Sequence, residues 1–197
     1  MFKQREIRQS VSAMVGGLGH LKSPVAAEVI CRALCDAMGR RRGRKIEFRA
    51  TSFPPGTASG LALNLGDRDL VIVEQRTVAE HQIVITGHEL RHLELGHCHR
   101  HVSEGSVATR LLHHDADLQQ VVASALAVAG RQSPALLEED GTAARKHRIE
   151  ERAAERYGLE LAHAVRHLLT VSDAPELDRQ TRSGRIEAAL CNRGVRG

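Results

Sequence analysis

Residues 77–96 read TVAEHQIVITGHELRHLELG, and the rest of the chain is best understood outward from them. Thr77-Val78-Ala79-Glu80 has the Ser/Thr-x-x-Glu spacing of a capping box, in which hydroxyl and carboxylate satisfy the free N–H groups of a helix start. Ile83, Val84, Ile85, Leu90, Leu93 and Leu95 follow, and Gly96 is a natural stop because glycine enters the left-handed conformation without steric cost. On such a helix His88 and His92, four residues apart, share one face and can present two imidazole nitrogens to one ion. Glu89 is displaced from His88 by about 100° around the axis. That puts its carboxylate beside the ion, as a base for a water there rather than as a ligand. Two neutral imidazoles suit zinc, and a catalytic zinc centre needs a third protein ligand from elsewhere in the chain.

The segments before the helix alternate between strand and turn character. Ile46 to Ala50, Gly60 to Leu65 and Asp69 to Glu74 read as three short strands. Ser52-Phe53-Pro54-Pro55-Gly56 separates the first two, and Gly66-Asp67-Arg68 reads as a hairpin turn. A three-stranded antiparallel sheet is expected, and one so small needs a helix over one face. Upstream, residues 2–19 are expected to form a helix, weakened by Gly16, Gly17 and Gly19. A second helix is expected to start at Ser23-Pro24, serine capping and proline in the first turn, and to end near Gly39. Cys31 and Cys35 lie four apart on it and read as core residues rather than ligands.

Beyond Gly96 the pattern loosens. Residues 97–118, with His97, Cys98, His99, His101, His113 and His114, read as a mobile loop; His97 is five residues past His92, a poor spacing for a third ligand. Leu118 to Ala129, Ala143 to Val171 and Ser183 to Cys191 read as helices. The expectation is a single α+β domain over residues 1–197: N-terminal helices, the small sheet, the HExxH helix, then C-terminal helices.

Composition narrows the function classes. Aromatic content of 2% within 42% apolar residues leaves the core to Leu, Val, Ile and Ala, which suits helices. Charge is +4, with 28 basic and 24 acidic residues interleaved, a weak basis for binding nucleic acid directly. The run Arg40-Arg41-Arg42-Gly43-Arg44-Lys45 is expected to be a solvated helix end, its cations favourable at the C-terminus. The charged N-terminus, four irregularly spaced cysteines and the lack of eighteen consecutive apolar residues point to a cytoplasmic chain with free thiols and no membrane partner.

A carboxylate for the third ligand is best sought in Glu150-Glu151-Arg152-Ala153-Ala154-Glu155, where a second glutamate four residues on could support a ligating histidine. These residues, together with Arg44-Lys45-Ile46, Leu70-Val71-Ile72-Val73, Gln82-Ile83-Val84 and His88 to His92, resemble the ImmA/IrrE family of zinc metallopeptidases, in particular its short actinobacterial members. Glu151-Arg152-Ala153-Ala154-Glu155-Arg156-Tyr157 is similar to the family's second motif, Glu-x-x-Ala-Asn/Asp followed by an aromatic. The resemblance implies a zincin-like fold, Zn2+ held by His88, His92 and Glu151, catalysis by Glu89, and Glu155 in the ligand-supporting Asn/Asp position. It implies Tyr157 as a packing aromatic; as the chain's one tyrosine, it is also a candidate oxyanion stabiliser, with His147 and His163 as alternatives. Family members are taken to cleave a helix-turn-helix repressor encoded nearby, and some are described as toxins of toxin-antitoxin pairs. The chain departs from the family's HELGH at Arg91, expected to face solvent or to hold an acidic group of the partner. That residue also favours the alternative, a zinc-stabilised module that sequesters a regulator without cutting it.

Overall fold

The computed structural model describes residues 4–55, 57–96, 119–120, 122–123 and 141–169. Helices α1 (Gln4–Gly16) and α2 (Ala27–Arg42) come first, followed by strands β1 (Ile46–Thr51), β2 (Gly60–Asn64) and β3 (Asp69–Glu74), helix α3 (Ala79–Glu94), and a long helix α4 (Gly141–Val165) closed by a 3-10 turn at Arg166–Leu168. The class is α+β. The loop expected at 97–118, the start of the helix expected from Leu118 and the one expected at 183–191 lie outside the described residues.

The sheet is mixed, not antiparallel. Strand order is β1-β3-β2, with β1 parallel to β3 in the register Phe48↔Val71 and β2 antiparallel to β3 in the register Leu61↔Ile72. The physical reason lies in β3, whose run Leu70-Val71-Ile72-Val73 is apolar at every position and buried throughout, as strands in parallel pairing tend to be. Val71 and Val73 enter the main core with Phe48, Ile30, Leu34, Ile83 and Leu90, whereas Leu61, Leu63, Leu70 and Ile72 are buried on the opposite face. The β2–β3 turn is a hairpin as expected, with Gly66 at φ 87° and the Leu65 N–H donating to Arg68 O at 2.8 Å.

Several helix ends differ from the sequence reading: α1 stops at Gly16 instead of residue 19, and α4 runs from Gly141 to Val165 instead of from Ala143 to Val171. Helix α2 begins at Ala27, since Ser23 Oγ donates to His167 O at 2.9 Å and the Val25 N–H to Leu168 O at 2.8 Å, tying this stretch to the end of α4. It ends at Arg42, and Gly43 at φ 64° makes the left-handed stop. Gly39 lies inside the helix because the chain folds back over it: an added Cβ would meet Arg44 O at 2.8 Å. At the start of α3 no side chain caps the helix; the Gln82 side chain donates to Gln75 O and Thr77 O at 3.1 and 3.0 Å, so the capping box is not formed. The stop at Gly96, φ 71°, is as expected.

The basic run does close helix α2, with Arg40, Arg41 and Lys45 exposed as expected, but Arg42 and Arg44 are not left to solvent. Asp69 is fully buried and takes both Arg42 and the Arg44 Nε, the latter at 2.8 Å, while Arg44 also reaches Asn64 Oδ1 at 2.9 Å. A buried carboxylate needs such partners, and the arginines here clamp α2 to the start of β3. Cys31 and Cys35 are buried core residues, as expected; burial pushes the Cys31 thiol up to about 12, so it stays protonated. Among the described residues no helix is long and apolar enough to cross a membrane.

Candidate metal centre

Helix α3 rests on β2 and β3 with one flank and meets α4 on the other. Two glycines set that second contact. An added Cβ on Gly158 would stand 2.4 Å from Val84 O, and one on Gly87 would stand 2.8 Å from the Gly158 Cα. The helices therefore touch backbone to backbone. Gly158 lies against residues 84–88 while Glu151, seven residues earlier, lies against His88 and His92, so α4 runs antiparallel to α3.

Glu151 Oε2 is 3.5 Å from His88 Nε2 and Glu151 Oε1 is 3.4 Å from His92 Nε2, while the two Nε2 atoms are 2.9 Å apart. One donor atom from each of the three lies within 4.8 Å of the others, so this group can hold a metal ion. His92 is buried, and His88 and Glu151 are half-buried. Hydrogen bonds from His88 and then His92 hold the Glu151 carboxyl well below the usual range. Burial, the largest influence on His88, disfavours its cation, yet the hydrogen bond to Glu151 and the charges of Glu89, Glu151 and Glu155 outweigh it and raise its pKa.

Glu89 lies next to the triad under the edge strand. Burial pushes its carboxyl above the ordinary range, against the lowering influence of His88, His92 and the nearby Ala62 backbone N–H. The packing is close because β2 offers only Gly60 and Ala62 on this side: a Cβ on Gly60 would meet Ile85 Cγ2 at 2.4 Å and Glu89 Oε1 at 2.7 Å. Leu65 and Ser59 make the backbone bonds to Arg68 and Glu74, so by alternation Gly60, Ala62 and Asn64 turn their own N–H and C=O groups away from β3. A cleft of about 480 Å³ opens here between β2, α3 and α4, lined by Ser59, Gly60, Val84, Ile85, His88, Glu89, Glu155 and Leu159.

The other candidates fall around this centre differently. Glu155 is exposed on the rim of the cleft. His147, one turn before Glu151, has Nδ1 3.7 Å from Glu151 Oε1, and His163, twelve residues beyond Glu151, is exposed. Tyr157 is completely buried, its hydroxyl 3.5 Å from Ser10 Oγ. Six residues from Glu151 on a helix is about 240° of rotation, which turns it toward α1 instead of the cleft. It is thus the packing aromatic and not an oxyanion donor.

Arg91 does not face solvent. It is 5% exposed, pairs with Glu94, and lies over the Tyr157 ring with its guanidinium carbon 5.5 Å from the centroid. Glu94 also accepts from Arg41 at 3.1 Å and from Ser10 Oγ at 3.2 Å. The position where the resembled family has glycine therefore joins α1, α2, α3 and α4, and Arg91 does not line the cleft. Sequence reading missed Gly158, Gly87 and Gly60, whose close approaches leave no periodic signal, and the Arg41–Glu94 link, which spans 53 residues.

Comparison of the chain with family models, curated proteins and solved structures gives no match.

Proposed function

We propose that this chain is a zincin-like, zinc-dependent metallopeptidase of the ImmA/IrrE kind, acting on a specific partner protein such as a helix-turn-helix repressor. The observation that carries the reading is the convergence of Glu151 from α4 on both histidines of the α3 motif. Donors on a tetrahedral ion with zinc bonds of ~2.0–2.1 Å stand about 3.3 Å apart. The 3.4 and 3.5 Å separations from Glu151 to the imidazoles match that spacing, and the 2.9 Å between the two imidazole nitrogens is a few tenths of an ångström shorter. Two imidazoles and one carboxylate are also the donor set of many catalytic zinc centres, which leave one position for water.

When bound, the ion supplies Lewis acidity, which polarises the peptide carbonyl and makes the attacking water more acidic. Glu89 takes the proton from that water and returns it to the leaving amine, the role of a general base and then a general acid. The outward-facing groups of Gly60 and the C=O of Ala62 can pair with an extended peptide, as exposed strand edges do, while the Ala62 N–H serves Glu89. That pairing would lay a scissile bond along the cleft. Arg91, held by Glu94 and Tyr157, leaves the cleft open.

Incubation with zinc and the product of an adjacent regulator gene tests the reading. Fragments that appear with the wild type and not with Glu89→Gln, at unchanged zinc content, support it. An intact complex with no fragments would instead favour sequestration without cleavage. Equal turnover by Glu89→Gln removes Glu89 from the chemistry.

A further inference from the structure

The cleft beside the triad has walls of unequal chemistry. Val84 and Ile85 form an apolar flank on α3, and Leu159 faces it from α4 with 60% of its surface exposed, more than Val29 or Ile149. Glu155 stands on the same rim, one turn before Leu159. The other carboxylates of α4 have partners: Glu150 is 3.8 Å from Lys146, Glu151 contacts both histidines, and Glu160 is 3.6 Å from Arg156. Glu155 has no hydrogen bond or ion pair among the described residues. His81 also lines the cleft, but seven residues before His88, about 10 Å along the axis.

A long aliphatic stem ending in a cation fits such a surface, its methylenes lying on the apolar walls while the charge reaches the rim. A purely apolar side chain would leave Glu155 partly desolvated without a partner, and an acidic one would meet like charge. We propose that this cleft is the subsite for a lysine or arginine of the substrate next to the scissile bond, and that Glu155 is the residue that selects it. The assignment rests on the peptidase reading and adds to it a substrate class and a specificity-determining residue.

Three zinc-chelating peptidyl hydroxamates, identical except for a lysine, norleucine or glutamate side chain beside the chelating group, test it by calorimetry on the zinc-loaded full chain. The lysine compound should bind about three- to fivefold more tightly than the norleucine one, the gain of a partly exposed charge pair, and the glutamate compound more weakly than both. Glu155→Gln should erase the lysine advantage and Glu155→Lys should transfer it to glutamate, both at wild-type zinc content. Equal binding of all three, or a lysine preference that survives both substitutions, overturns the subsite while leaving the peptidase reading intact. Loss of zinc in Glu155→Gln also overturns it, by making Glu155 a support of the ligands. A wild type that takes up no zinc, or that takes it up and binds none of the three, overturns the peptidase reading and the subsite with it.

Discussion

The contact between Gly158 and Val84 makes Gly158→Ala an informative perturbation, because it sits two helical turns from Glu151, the candidate metal ligand it is expected to disturb. In an exposed helix the change should stabilise by about 1 kcal/mol through propensity alone. Here the new Cβ would lie 2.4 Å from Val84 O, with Val84 C at 3.2 Å and the His88 nitrogen at 3.3 Å, all backbone atoms that cannot rotate aside. To bring that contact even to 3.0 Å, α4 must move off α3 by about 0.6 Å, against a tolerance of ~0.2 Å for donor positions in a metal site. Glu151 is carried away with the helix. Overpacking of this kind costs roughly 1–3 kcal/mol, and a shift of the ligand support roughly 10- to 100-fold in metal affinity. Denaturant melts of the metal-free protein read the first quantity, and competition with a chromophoric chelator reads the second. Zinc affinity within twofold of wild type, with stability unchanged or raised, would refute the claim that these glycines set the distance between the halves of the centre.

Other expectations follow from the same packing. Gly60→Ala should retain zinc yet lower turnover of a cleaved partner by 10²-fold or more, roughly the contribution of a positioned general base, since its methyl group would displace Glu89; unchanged turnover at normal zinc content counts against Glu89 as that base. Arg91→Gly, which restores the residue of the resembled family, should destabilise by roughly 2–4 kcal/mol by exposing the Tyr157 ring and removing one partner of Glu94, measured by urea melts; a neutral effect would show the buried pair to be dispensable. The Glu74 carboxyl is lowered to about 2 by Arg76, opposed by burial and helped by the Arg76 and Phe53 backbone N–H groups. Its folded pKa lies below its unfolded one, so its contribution is complete above the unfolded value of ~4.3 and fades as pH falls toward 2. Because solvent screens a pair made with the exposed Arg76, Glu74→Gln should cost only about 1 kcal/mol at pH 7 and progressively less in melts at pH 4, 3 and 2; a cost constant over that range excludes the charge as its source.

Much of this molecule was legible from local pattern. The i, i+4 spacing of His88 and His92, the stop at Gly96, the bounds of β3 and the hairpin at Gly66 each depend on residues a few positions apart, and periodicity and turn chemistry report such relations directly. The Glu150–Glu155 segment could be singled out from its residues, and the resemblance then pointed to Glu151 within it; as a pattern it is one acid in a charged helix face. Where local pattern misled, a distant partner had intervened. Ser23 and Val25 bond to residues 167 and 168 instead of starting a helix, Gln82 replaces the capping box, and Arg42 and Arg44 serve a buried Asp69 instead of solvent.

By itself, then, the sequence determined which side chains are available and which of them share a helix face, because backbone geometry makes that a matter of spacing. Tertiary structure alone decided that β1 pairs in parallel with β3, that Arg91 turns inward onto Tyr157, and that a glutamate 59 positions beyond His92 stands 3.4 Å from it. These relations depend on which surfaces pack against which, and close packing of α3 against α4 at Gly87 and Gly158 is a property of the folded chain as a whole.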